Sequence, residues 1–151
     1  MFKTSTLPPN MKKLNLILLI DDNDADNEFH EIVIQRAEIT AKLKNITSSL
    51  HAMHYLRNCF ETEESTQYPL PDLIFLDINL PAMNGFELLD KVRQFPDPFN
   101  KKQKMKLFML TGSLNPDDFK RATEDYSDLI KGFRIKPLTD TVFLEIVQRC
   151  F

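Results

Sequence analysis

Read for apolar and polar positions, the chain alternates between short, almost uninterrupted apolar runs and longer stretches with apolar residues at helical spacing. Leu14-Asn15-Leu16-Ile17-Leu18-Leu19-Ile20, Leu73-Ile74-Phe75-Leu76, Leu107-Phe108-Met109-Leu110 and Gly132-Phe133-Arg134-Ile135 are the clearest runs, and Leu43-Lys44-Asn45-Ile46-Thr47 is a weaker one. Such runs read as strands, the continuous ones buried on both faces as in a parallel sheet. Between and after them, five sets of positions predict helices: Phe29, Ile32, Val33 and Ala37; Met53, Leu56 and Phe60; Leu88, Leu89, Val92 and Phe95; Phe119, Ala122 and Tyr126; Val142, Phe143, Ile146 and Val147. Start signals agree. Asn23 or Asp24, Ser48 or Ser49, and Thr139 or Asp140 can cap three of the helices, and Asn115 caps another with Pro116 in its first position. Asp26 and Glu28 suit the positive end of the first helix dipole. Residues 61–71, 81–85 and 95–100 carry the prolines and polar residues of loops. Five strands alternating with five helices predict an α/β fold, a doubly wound parallel sheet of right-handed βαβ units, over residues 14–151. Residues 1–13 read as a disordered extension, with Met11 as an alternative start.

Composition narrows the function classes. With 151 residues, 42% hydrophobic and 27% charged, the chain is long enough for one domain with a substantial core. A net charge of −3 gives no electrostatic footprint for DNA or an anionic membrane. Lys101, Lys102, Lys104 and Lys106 lack interleaved aromatics and read as a solvated loop and strand edge. No apolar run is long enough to span a bilayer, and residues 1–10 lack the apolar core of a signal peptide. Cys59 and Cys150 are too few and too far apart for a zinc site or a disulfide framework. His51 and His54 read as a solvated helix face.

The ends of the strands carry the chemistry. The first ends in Asp21-Asp22, the third in Asp77, the fourth in Thr111 and the fifth in Lys136. Asp is common at strand ends and turns, so Asp77 alone would carry little. With the strands in order 2-1-3-4-5, however, these residues share the carboxyl edge of the sheet, where open α/β sheets bind ligands. Carboxylates crowded together repel unless a cation sits among them, and oxygen ligands beside a phosphate suit magnesium. A carboxylate can also attack phosphorus, with metal, ammonium and hydroxyl groups neutralising the transferred group.

Asp21-Asp22, Asp77, Thr111-Gly112 and Lys136-Pro137, each after an apolar strand, resemble the CheY-like receiver domain of two-component response regulators, which has a flavodoxin-like fold. The turn Leu80-Pro81-Ala82-Met83-Asn84-Gly85 is also similar to that family, and the likeness runs from about residue 14 to 151. The resemblance implies that Asp77 is the phosphoacceptor. It implies a Mg2+ site, with Mn2+ as a substitute, made by Asp22, Asp77 and the backbone carbonyl of Asn79, with Asp21 acting through a metal-bound water. Thr111 and Lys136 would bind phosphoryl oxygens, Gly112 would leave room beside them, and Lys136–Pro137 would be cis. Phe133 stands at the aromatic switch position coupled to Thr111, where the family often has Tyr, and it would leave the surface on activation.

The expected function is that of a single-domain response regulator, not an enzyme in its own right. A histidine kinase or phosphotransfer protein would phosphorylate it in the cytoplasm. With nothing after the last helix, no output domain is expected. Output would be protein binding or onward phosphotransfer, through the face of helix four, strand five and helix five, which also allows a homodimer. Two other classes fit less well. A haloacid-dehalogenase-like phosphohydrolase needs Asp-x-Asp on its first strand, whereas Asp77-Ile78-Asn79 follows the third and lacks the second Asp. A scaffold that no longer takes phosphate would not need the full set of site residues.

Overall fold

The structure, a computed structural model, describes residues 13–151, so the N-terminal extension apart from Lys13 lies outside the described residues. Strands and helices alternate as expected: β1 (Leu14–Ile20), α1 (Asp24–Arg36), β2 (Thr40–Ile46), α2 (Ser49–Glu61), β3 (Leu73–Leu76), α3 (Gly85–Gln94), β4 (Lys106–Thr111), α4 (Pro116–Asp125), β5 (Gly132–Ile135) and α5 (Asp140–Cys150). All five strands are parallel, in the order β2-β1-β3-β4-β5. Asn23, Ser48, Asn115 and Thr139 are the N-caps among the candidates.

The sheet separates two apolar layers. Leu16, Leu18 and Ile20 of β1 face the layer of α2, α3 and α4, while Ile17 and Leu19 face that of α1 and α5. All of β3 is buried, which is why its sequence is continuously apolar rather than alternating. On the α1/α5 side Phe75 meets Phe108 and Phe143, each at 6.3 Å between ring centroids. Side chains of this size contribute roughly 1.5–3 kcal/mol each on full burial.

Four expectations need correction. The second strand begins at Thr40, not Leu43. It is an edge strand in which Lys42 and Lys44 alternate with Leu43, so its first half carries little apolar signal. The inner face of α1 is Asn27, His30, Val33 and Ile34, while Phe29 and Ile32 are 45% and 52% exposed. Polar side chains win those inner positions because backbone groups wait there for partners. Asn27 Nδ2 donates to Asp21 O at 2.8 Å, and His30 Nε2 accepts from Leu138 N at 3.1 Å. On α4, Ala122 and Tyr126 are buried, but Phe119 is exposed. Finally, the basic run is not a solvated loop throughout. Lys101 is only 6% exposed, and its Nζ donates to the carbonyls of Cys59 and Thr62, closing the C-terminal end of α2. Lys102 Nζ donates to Arg93 O and Phe95 O at the end of α3. Ammonium groups suit these ends because the last helical carbonyls lack intrahelical partners.

Candidate functional site

The site grows out of strand ends held in register. Asp77, the first residue past β3, donates its N–H to Ile20 O at 3.0 Å. Lys136, the first past β5, donates its N–H to Thr111 O at 2.8 Å. The turn after Asp77 closes tightly. Gly85 N donates to Ile78 O at 2.8 Å, and a Cβ on Gly85 would stand 2.4 Å from Asp77 O. Glycine is required there because the backbone of Asp77 occupies the space of a side chain. Asn84 and Glu87 form a reciprocal capping box that starts α3 from this turn. A Cβ on Gly112 would meet nothing within 4 Å, so the space beside Thr111 is clear of protein.

The side chains converge around Lys136. Its Nζ lies 2.7 Å from Asp21 Oδ2, 2.8 Å from Asp26 Oδ2 and 3.2 Å from Asp77 Oδ2. Burial works against this ammonium, but the hydrogen bonds to Asp21 and Asp26 and the charges of Asp77 and Asp21 outweigh it, so its pKa is raised. Asp77 is 5% exposed, and burial raises its pKa. Lys136 opposes that rise, and Asp21 adds to it. Asp77 Oδ1 is buried with no hydrogen-bond partner, although the Thr111 hydroxyl is near enough to lower its pKa. Thr111 is fully buried, and its Oγ1 accepts from Ser113 N at 3.2 Å, leaving its own O–H free to donate.

Asp21, Asp22 and Asp77 each bring an oxygen within 4.8 Å of the others. Both oxygens of Asp21 are engaged, Oδ2 by Lys136 and Oδ1 by Asn23 N at 3.0 Å. Asp22 is exposed, and Asp77 Oδ1 has no partner, so this donor set suits a hard divalent cation. Asn79 is exposed two residues beyond Asp77. The Lys136–Pro137 peptide is cis.

Two sequence expectations shift here. Phe133 is already inside, 8% exposed, with its ring edge-on to Phe119 at 5.4 Å. It has little surface to leave, and a Phe has no hydroxyl to hold it in water. Asp26, read as a helix-dipole residue, is instead a direct partner of Lys136. With His30 it lies one turn apart on α1, and that i,i+4 polar pair on an amphipathic helix was the available signal. His30 is buried, and burial, with Lys136 adding, lowers its pKa. Its bond from Leu138 N requires an unprotonated Nε2. A depression of about 850 Å³ lies at the amino-terminal ends of the strands beside Asn15, Lys42 and Lys104, away from these residues.

A family model for the response regulator receiver domain matches residues 17–148. The chain belongs to that family. Among curated relatives, this receiver domain is 36% identical over 103 residues to response regulator Rcp1 of Synechocystis sp., covering 68% of this chain and 65% of Rcp1. Among solved structures, it superposes on a two-component response regulator from Cytophaga hutchinsonii with a TM-score of 0.77 at 29% identity. That match covers 92% of this chain and 98% of the other. The Mn2+-bound form of Rcp1 superposes with a TM-score of 0.65 at 29% identity, covering 89% and 90%. Receiver domains are the signalling phosphoacceptors of two-component systems, a family that binds a divalent metal and receives phosphate from kinases or phosphotransfer proteins.

Proposed function

We propose that Asp77 accepts a phosphoryl group from the phosphohistidine of a histidine kinase or phosphotransfer protein, and that the phosphorylated domain signals by binding a target protein or by passing the phosphate on. The observation that carries this reading is the Asp77 carboxylate itself. One oxygen is held by Lys136, and the other is buried without a partner among the acidic residues. An Asp77 oxygen forms the new O–P bond as the donor's P–N bond breaks, and the imidazole nitrogen leaves with its electron pair. Lys136 donates to one phosphoryl oxygen and the Thr111 hydroxyl to another. Asp22, Asp77 and the Asn79 carbonyl would hold Mg2+, or Mn2+ in its place, with Asp21 acting through water because its own oxygens are engaged. The metal supplies charge neutralisation around the phosphoryl oxygens.

The output face in this reading is α4, β5 and α5, which would also serve a homodimer. Leu114 and Phe119 are exposed there beside a depression of about 310 Å³ that Phe133 and Ile135 also line. Because Phe133 is already inside, repacking behind Thr111 would reach the surface through Phe119, the ring stacked edge-on against it. A cytoplasmic location accords with phosphate received from a kinase. Among the described residues no helix is long and apolar enough to cross a membrane.

Incubation with phosphoramidate and Mg2+, followed by intact-mass measurement, tests the assignment. The wild type gains one labile phosphoryl group, and Asp77→Asn gains none while keeping its fold. Phosphate uptake by Asp77→Asn at the wild-type rate would show that the acceptor lies elsewhere. Continuous release of phosphate from phosphomonoesters would point to a phosphohydrolase instead.

A further inference from the structure

The Lys136 ammonium lies against three carboxylates, donating to Asp26 and Asp77 and paired with Asp21. The contacts to Asp21 and Asp26 are shorter than the one to Asp77, so the ammonium leans away from the Asp77 carboxylate. Asp26 is not a passive surface charge. Its backbone N–H is held by the cap residue, donating to Asn23 Oδ1 at 2.9 Å. Its neighbour Asn27 is tied to the end of β1 through Asp21 O. One turn on, His30 is tied to Leu138, two residues past Lys136. The first turns of α1 are therefore fastened to both loops that flank the ammonium, and the Asp26 carboxylate is carried at a fixed reach from it.

We propose that Asp26 is a positioning residue that competes with the phosphoryl group for Lys136 and so weakens the phosphorylated state. This inference rests on Asp77 being the acceptor. When Asp77 becomes an acyl phosphate, its own carboxylate charge is replaced by a phosphoryl group carrying more charge. That group needs an N–H from Lys136. Asp26 draws the ammonium the other way, so the phosphorylated form holds that contact only against the pull of a second carboxylate. Asp21 engages Lys136 as closely, but it also belongs to the acidic set around Asp22 and Asp77. Asp26 stands outside that set, which makes it the separable competitor.

The test is the affinity for beryllofluoride, a phosphoryl mimic, measured by calorimetry with Mg2+ on the whole chain. Asp26→Asn keeps the shape and removes the charge, and it should bind about three- to tenfold more tightly than wild type. Asp24→Asn removes the same charge from the same helical turn without touching Lys136, and it should bind within about twofold of wild type. In a Lys136→Ala background the gain from Asp26→Asn should fall to within about twofold, because nothing is left to compete for. Equal or weaker binding by Asp26→Asn would overturn the proposal. So would the same gain without Lys136, or an equal gain from Asp24→Asn, since either would reduce the effect to general charge. A wild type that neither takes phosphate from phosphoramidate nor binds beryllofluoride would overturn the acceptor assignment as well. A wild type that does both, with an unaltered Asp26→Asn, would overturn the competition alone.

Discussion

Lys136 and Lys101 both lie largely inside this protein, and they are satisfied in opposite ways. Lys136, at the carboxyl edge of the sheet, is held by the charges of Asp21, Asp26 and Asp77. Lys101, in the loop before β4, is held by the neutral carbonyls of Cys59 and Thr62. Its loop is fastened in turn by Asp97, which accepts from the N–H groups of Lys101 and Lys102. The first arrangement leaves surplus negative charge around a single ammonium, so added positive charge is welcome and the partners can be exchanged. The second has no surplus. Its carbonyls are neutral, and the bond to Cys59 O is buried away from any replacement in solution. Burial of a charge thus marks a functional centre only when its partners are themselves charged and incompletely neutralised.

The sharpest way to break this contrast is to remove each ammonium while keeping its bulk. Lys136→Met should lose roughly 3 kcal/mol of stability in chelator, because it leaves carboxylates crowded without a counter-charge. Most of that loss should return in millimolar Mg2+. Lys101→Met should lose about 2 kcal/mol, chiefly through the buried Cys59 carbonyl left without its donor, equally with and without Mg2+. Urea titrations in both conditions decide it, and a metal-dependent Lys101→Met would erase the distinction.

A smaller effect sharpens the acidic side. Burial raises the pKa of Asp77, so its carboxylate destabilises the fold at pH values above that raised pKa. As pH falls through the raised value toward the ordinary carboxylate range near about 3.9, the cost is relieved. Metal-free Asp77→Asn should therefore be more stable than wild type at neutral pH, with the difference shrinking as the medium is acidified through that window. A difference constant with pH would mean that Asp77 carries no such cost.

The two glycines beside the site differ in the same way. Gly85→Ala must push against Asp77 O, and it should cost about 1–3 kcal/mol and slow phosphorylation. Gly112→Ala meets no protein atom, and its stability should stay within about 0.5 kcal/mol of wild type. Its phosphorylation rate should nonetheless fall, since the methyl group enters the space beside Thr111. Thermal unfolding and phosphoramidate kinetics on the two variants separate these outcomes.

What the sequence determined by itself was whatever depends on local periodicity and on strand ends. β1, β3 and β4 were legible because strands covered on both faces must be apolar almost throughout. Asp21, Asp22, Asp77, Thr111 and Lys136 were legible because the residue after such a run stands at the edge of the sheet. Tertiary structure alone decided which polar residues go inside. Asn27 and His30 displace Phe29 and Ile32 from the inner face of α1, Asp26 joins the site, and Lys101 is buried in a loop that looked solvated. In each case the partner is a carbonyl, an N–H or an ammonium elsewhere in the chain, up to 110 residues away for Asp26 and Lys136. A polar side chain is buried when such a group needs it, and that need arises only once the strands and helices have been brought together.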